Sequence, residues 1–411
     1  MSALTRRVLA NVVTDVKSGF ACGEEDPNGI FQVRMNNIAR SGKLDLTKKR
    51  YVPASQKQVE KTLLGPGDIL FNATNSPDLV GKTLLFSGLD EPTVFSNHFL
   101  RLRTDEEQVT PAYLAHLLQA QFQRGVFKSM CRQWVNQATV SRDSLLRMDL
   151  PVPPITEQHE IVSVLDHVDA LRIKRQNTLS LLDDLAESIF ADTFGNVATN
   201  DRHWNSARSL GEVAFVGSGI TKGRKVPNLP LRKIPYMAVV NVQERHLDLS
   251  VIKEIDATED EINRYRLLGN DLLLTEGGDP DKLGRGTLWR NELPECIHQN
   301  HIFRVRVRDG SGVDPVFLNW LIASARGRRY FLRSAKQTTG IASINATQLK
   351  NFPLLTPPIE VQQEFSARMG RLESWKSLLT KHLVELDALF SSLQHRAFYG
   401  EWRETISSMV G

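Results

Sequence analysis

The chain has 411 residues, too many for one ordinary core, and its 41% hydrophobic and 24% charged content excludes fibrous, collagen-like and disordered classes. The net charge of +4, from 51 basic against 47 acidic residues, is too weak a bias for a chain that neutralises many phosphates unaided. No apolar run is long enough to cross a bilayer, and Met1–Val13 lacks the sustained apolar core of a signal peptide. A cytoplasmic protein is therefore expected, with Cys22, Cys131 and Cys296 as reduced thiols.

In chain order, residues 1–152 mix short strand-like runs with turns. Gly67-Asp68-Ile69-Leu70-Phe71 and the alternating Phe99-Leu100-Arg101-Leu102-Arg103 read as strands, and Pro111–Met130 reads as helical. Pro153-Pro154 then stops that pattern, and residues 153–199 read as one long helix and its exit. From residue 200 the text starts again. Asp271-Leu272-Leu273-Leu274 and Ile302–Val307 are strand-like, Pro315–Ser334 is helical, and Pro357-Pro358 ends residues 200–356 before a second helical stretch over 357–411.

The two halves are copies of one unit. At a displacement of 203 residues Gly81 matches Gly284, Asn97-His98 matches Asn300-His301, Asp68 matches Asp271 and Leu44-Asp45-Leu46 matches Leu247-Asp248-Leu249. At 204 residues Pro153-Pro154-Ile155 matches Pro357-Pro358-Ile359, Gln158 matches Gln362 and Phe194 matches Phe398. Such a series over the whole length marks a duplication.

Apolar residues recur at three–four spacing in both helical stretches: Ile161, Leu165, Val168, Leu179, Leu182, Ala186 and Ile189 in the first. The second has Phe365, Met369, Leu372, Leu379, Leu383, Leu386, Phe390 and Leu393. Arg172 and Arg175 interrupt one stripe and Lys376 the other. A stripe of this kind packs against another helix. If the two helices pair with each other, the second must return along the first. The expectation is an α+β fold with two tandem domains joined by two long antiparallel helices, a coiled-coil spacer with a pseudo-two-fold internal repeat. A helix of about 35 residues reaches roughly 52 Å, enough to hold two readers one turn of B-DNA apart.

Catalytic patterns are missing. No GxxxxGK[ST] loop is present, since Ser218 stands where its first glycine would fall and Arg224 follows Gly223. The chain carries no Asn-Pro-Pro-Tyr-like sequence, no zinc-spaced cysteine–histidine set and no serine nucleophile elbow. Glu276-Gly277-Gly278-Asp279 reads as a loop, and Asp68, Asp271 and the two Asn-His pairs read as turn residues.

Layout and motifs resemble the specificity subunits of type I restriction–modification enzymes over essentially the whole chain. The pieces that carry the resemblance are Leu150–Gln158 and Ile344–Leu354 running into Thr356-Pro357-Pro358-Ile359. The closing Ala397-Phe398-Tyr399-Gly400-Glu401 and the opening Leu210–Ala214, weakened at Leu9–Val13, add to it. Ser141 against Asn345 and Val361 against Glu157 depart from the pattern. The resemblance implies a non-catalytic subunit with no cofactor of its own, whose two target-recognition domains each read one half of an asymmetric bipartite site in double-stranded DNA. It implies two modification subunits, docked on the helices and using S-adenosylmethionine to methylate adenine. Two restriction subunits would use ATP with magnesium. A specificity subunit of another multisubunit restriction–methylation enzyme, or a coiled-coil protein-binding scaffold, are the alternatives.

Base reading calls for Arg, Lys, Asn or Gln, and phosphate contact for basic and hydroxyl groups. Candidates in the first domain are Arg34, Asn36, Asn37, Lys43, Lys48, Lys49, Arg50 and Asn72. The second domain offers Arg224, Lys225, Asn241, Arg245, Lys282 and Arg285, with a denser cluster at Arg326, Arg328, Arg329 and Arg333 interleaved with Tyr330 and Phe331.

Overall fold

The computed structural model describes residues 5–134, 137–225, 229–278, 284–338, 341–399 and Trp402. They divide into two compact units, Met1–Gln176 with Lys381–Gly411, and Asn177–Thr380. The fold is α+β, with two globular domains and two long packing helices, Ile155–Phe194 and Ile359–Tyr399, of 40 and 41 residues. Each helix contributes one half to each unit.

In the first unit Val13–Ser18, Phe99–Thr104, Ile69–Asn72 and Thr83–Leu85 form an antiparallel sheet in that order. Successive side chains of a strand point to opposite faces, and here both faces are covered. Ile69, Phe71, Leu100 and Leu102 enter a core with the helix Pro111–Gln123, while Leu70, Leu84 and Phe99 enter a second core with Phe31, Val33 and Phe95. That second core is backed by a sheet of Tyr51–Val52, Ile30–Val33 and Thr93–Phe95, the last two parallel. Both arginines of the alternating strand are tied to carboxylates. Arg101 is 2% exposed and meets Asp15 at 2.6 Å, and Arg103 grips the buried Asp68 at 2.6 and 3.1 Å.

The second unit repeats this plan. Ala214–Ser218, Ile302–Val307, Leu272–Thr275 and Gly286–Leu288 form the four-stranded sheet, and Lys253–Ala257, Arg232–Met237 and Ile297–His298 the three-stranded one. Arg306 grips the buried Asp271 at 2.7 and 2.6 Å, as Arg103 does Asp68.

The matched residues have matched duties. Gly81 and Gly284 sit at φ +94° and +74°, and a Cβ on them would come within 2.3 and 2.6 Å of the Phe127 and Phe331 rings. Only glycine tolerates both the left-handed backbone and the approach. Gln158 is fully buried; its carbonyl accepts from the Thr110 amide and its amide donates to the carbonyls of Gln108 and Pro153. Gln362 does the same with Asp314, Gly312 and Pro357. The Pro-Pro-Ile-x-x-Gln motif thus ties the start of a long helix to the loop before the next domain helix. Ser141 and Asn345, which differ between the copies, are both N-caps, accepting from Ser144 and Gln348 amides.

Two expectations are refined. The helical stretch Pro111–Met130 is two helices, Pro111–Gln123 and Val126–Met130, separated at the left-handed Gly125. Pro315–Ser334 likewise breaks at the extended Ser324 into Pro315–Ala323 and Ala325–Ser334. In the long helices the expected stripe divides between two cores. Ile161, Leu165 and Val168 pack with Phe390, Leu393, Ala397 and Phe398 in the first unit, with Leu386 at its margin. Leu182, Ala186, Phe190 and Phe194 pack with Phe365, Met369 and Leu372 in the second, with Ile189 and Leu379 at its margin. Leu179 and Leu383 are half-buried. The N-terminal half of one helix meets the C-terminal half of the other in each unit, so they run antiparallel.

Two of the charges that interrupt the stripes, Arg172 and Lys376, are paired. Arg172 reaches Asp387 at 2.6 Å and lies 4.6 Å from the Phe390 ring centre in the first unit, and Lys376 bonds Asp183 in the second. Among the described residues no helix is long and apolar enough to cross a membrane.

Gly81→Ala and Gly284→Ala are each expected to lower unfolding free energy by about 2–4 kcal/mol, combining left-handed strain with overpacking. Urea unfolding of the full chain measures this, and an alanine variant with an unchanged midpoint would contradict the assigned ring contact.

Candidate nucleic-acid interface

Between Ile30–Val33 and Tyr51–Val52 the chain makes a loop over 34–50, and between Arg232–Met237 and Lys253–Ala257 its copy over 238–252. Both are closed by a buried asparagine. Asn37 is 1% exposed; its Oδ1 accepts from the Arg34 amide at 3.0 Å and its Nδ2 donates to the carbonyls of Asp45 and Lys48 at 2.9 Å. Asn241 is 2% exposed and takes the Ala238 amide at 2.9 Å and the carbonyls of Asp248 and Val251 at 2.8 and 2.9 Å. The rest of the frame repeats too. The Asp45 and Asp248 amides donate to the Asn37 and Asn241 carbonyls, and Ile38 bridges Leu44 as Val242 bridges Leu247. Asp45 and Asp248 accept from the amides of Thr47 and Ser250.

Asn37 and Asn241, candidate base readers from sequence, are therefore internal clamps with no polar group left over. Asn72 is also fully buried, its amide on the carbonyls of Thr74 and His98 and its Oδ1 on the Asn75 amide. Their residue type suits groove chemistry, but satisfying buried polar groups is the stronger demand on these three amides.

Most of the arginines and lysines have partners. Lys43 pairs with Asp169 at 2.5 Å, Lys49 with Glu91 at 2.6 Å and Arg50 with Glu25 at 3.0 Å. Arg224 makes two 2.6 Å bonds to Glu261, and Arg285 donates to Gln243 at 3.0 Å. Arg245 adopts φ +61°, bonds Glu187 at 2.7 Å and stacks 3.7 Å from the Trp320 ring centre. Arg326 donates to the Pro353 carbonyl at 3.2 Å. Lys282 lies outside the described residues.

Others face outward. Asn36, Lys48, Lys225, Arg328, Arg329 and Arg333 are exposed, and Arg34 is half-buried. Helix Ala325–Ser334 buries Phe331 and ties the Tyr330 hydroxyl to the Gln348 carbonyl, which leaves Arg328, Arg329 and Arg333 on its outer side. Burial, and then the Arg34 guanidinium, hold the His98 imidazole below its ordinary pKa. The main-chain carbonyl of His98 accepts from the amides of Ala73 and Thr74, as that of His301 accepts from the Glu276 amide. The His301 ring adds a 2.7 Å bond to Glu276.

Sequence reasoning passed over Val240 and Val251, exposed by 62% and 60%. They stand where Asn36 and Lys48 stand in the first copy. A search for polar readers skips valine, although aligning the copies through Asn37 and Asn241 exposes the match. On the long helices Leu181, Leu185, Trp375, Leu378 and Val384 are also exposed. Among the described residues no group of three or more His, Cys, Asp or Glu side chains could hold a metal ion.

Residues 25–181 and 202–386 match the model of the type I restriction modification DNA specificity domain family. The chain is 24% identical over 393 residues to the type I restriction enzyme EcoKI specificity subunit of Escherichia coli strain K12, covering 90% of this chain and 83% of that one. It is 24% identical over 392 residues to the StySPI specificity subunit of Salmonella potsdam, with the same coverage. The crystal structure of the S subunit of a type I restriction–modification system from M. genitalium has the same fold, with a TM-score of 0.56 at 14% identity over 97% of both chains.

Asn37→Ala and Asn241→Ala are each expected to cost about 2–3 kcal/mol of stability, because three backbone groups lose their partner. Chemical denaturation checks this; a loss under about 0.5 kcal/mol, the level of an ordinary surface substitution, would mean the loops are held by other contacts.

Proposed function

Since the chain belongs to the type I restriction–modification DNA specificity family, we propose that it is the DNA-reading subunit of a type I restriction–modification enzyme. As a member of that family it is the specificity component and not the catalytic part of the assembly. Each α+β domain reads one half of an asymmetric two-part target, and the long helices set the gap and carry the modification subunits. Those subunits bind S-adenosylmethionine and methylate adenine, and restriction subunits joined to them use ATP and magnesium to translocate and cut DNA.

One observation carries the reading: two domains with the same internal hydrogen-bonded frame and unlike outer side chains. A repeated scaffold with a diverged exterior suits two readers of unlike half-sites. Leu181, Leu185, Trp375, Leu378 and Val384 leave large apolar side chains exposed on the long helices, which suits protein docking there. Arg328, Arg329 and Arg333 suit phosphate contact, which sets register without reading sequence.

Replacing residues 1–152 by the first domain of another family member is expected to change one half of the methylated sequence and leave the other. Long-read mapping of methylation decides it: two altered halves, or none, refute the modular reading. Arg328→Ala, Arg329→Ala and Arg333→Ala, each made in the complex with the modification partner, are expected to weaken binding alike for all DNA sequences. Each lost phosphate contact lowers the slope of log affinity against log salt by about 1. An unchanged slope in all three places the phosphate grip elsewhere.

A further inference from the structure

We infer that the two asparagine-clamped loops are the base-reading loops, with Asn36 and Lys48 as the readers of the first domain and Val240 and Val251 as those of the second. The inference rests on the function proposed above and deepens it to side chains.

In each loop the buried asparagine ties three backbone positions together, so that the residue before it and the residue whose carbonyl it takes last are held at defined places on the rim. Those two rim positions are Asn36 and Lys48 in one copy and Val240 and Val251 in the other, and all four are exposed. The far side of each loop is braced independently. Lys43 and Arg245 reach Asp169 and Glu187 on the long helix, while the buried Lys82 amine donates to the carbonyls of Met35 and Ile38. Arg285, the match of Lys82 at the 203-residue displacement, donates to Gln243 in the second loop. The loops are thus held without using their rim side chains, and a preorganised rim costs little to dock.

The rim chemistry fits base edges in the major groove. Asparagine matches the N6 and N7 groups of adenine, lysine matches guanine, and an apolar side chain packs on the thymine methyl. Single exposed valines are ordinary. Here they occupy the two places that the frame holds, and their counterparts in the other copy are groove-reading types. The half-buried Arg34 flanks the first rim and adds positive charge, which a phosphate backbone attracts.

The test exchanges the rims. Asn36→Val with Lys48→Val, and separately Val240→Asn with Val251→Lys, are made in the full chain, assembled with its modification partner and presented with a plasmid library randomised in both half-sites. Methylation is read by long-read sequencing. Each pair is expected to shift base preference about tenfold or more at one or two positions of its own half-site, leaving the other half and the melting temperature unaltered. Preferences unchanged in both halves overturn the inference. Loss of co-purification with the modification partner also overturns it, because the rims would then be protein-docking surfaces. If an exchanged chain does not fold, Lys48→Ala and Val251→Ala decide instead: a tenfold loss of selectivity in the matching half supports the inference and undiminished selectivity refutes it. Sequence-indifferent methylation by the unaltered complex would refute the functional proposal itself.

Discussion

Neither domain completes its main hydrophobic core with contiguous chain. The first unit needs Phe390, Leu393, Ala397 and Phe398 from the end of the second long helix, and the second needs Phe365, Met369 and Leu372 from its start. Each large apolar side chain among them adds roughly 1.5–3 kcal/mol to the core it enters. Each long helix is therefore held in place by two cores, and the antiparallel pairing follows from that division.

Polar groups settle which residues meet. In each helix one basic residue that breaks the stripe is matched by an acid on the partner helix, Arg172 with Asp387 and Lys376 with Asp183. These pairs are partly solvated and add little energy, but a charge opposite a charge penalises slipped registers, in which it would face apolar side chains. Gln158 and Gln362 act at the helix starts, where each side-chain amide joins the proline turn to the loop before a domain helix.

The duplication separates what the fold requires from what it leaves free. Several paired positions that agree between the copies are internal: Gly81 and Gly284 under a phenylalanine ring, Asp68 and Asp271 on an arginine, Asn37 and Asn241 inside their loops. Ser141 and Asn345 differ in type and agree in role, since either can cap a helix. Positions on the outer rim, such as Asn36 and Val240, share only their place.

Local patterns in the amino-acid sequence determined the repeat, the central strands Ile69–Asn72, Phe99–Thr104, Leu272–Thr275 and Ile302–Val307, the long helices and the turn roles of Asp68 and Asp271, because periodicity and turn chemistry act over a few residues. Three–four spacing also identified most of the residues that the helices bury, though Phe190 and Phe194 complete the second core from beside the expected stripe. What tertiary structure alone decided was the fate of the polar side chains. An asparagine chosen for a groove is indistinguishable, by type, from one that closes a loop; Asn37 became a clamp because the carbonyls of Asp45 and Lys48 were folded against it. The same holds for the core partners of each helix half, since burial depends on segments some two hundred residues apart meeting in space, and spacing along one helix carries no record of which core will cover it.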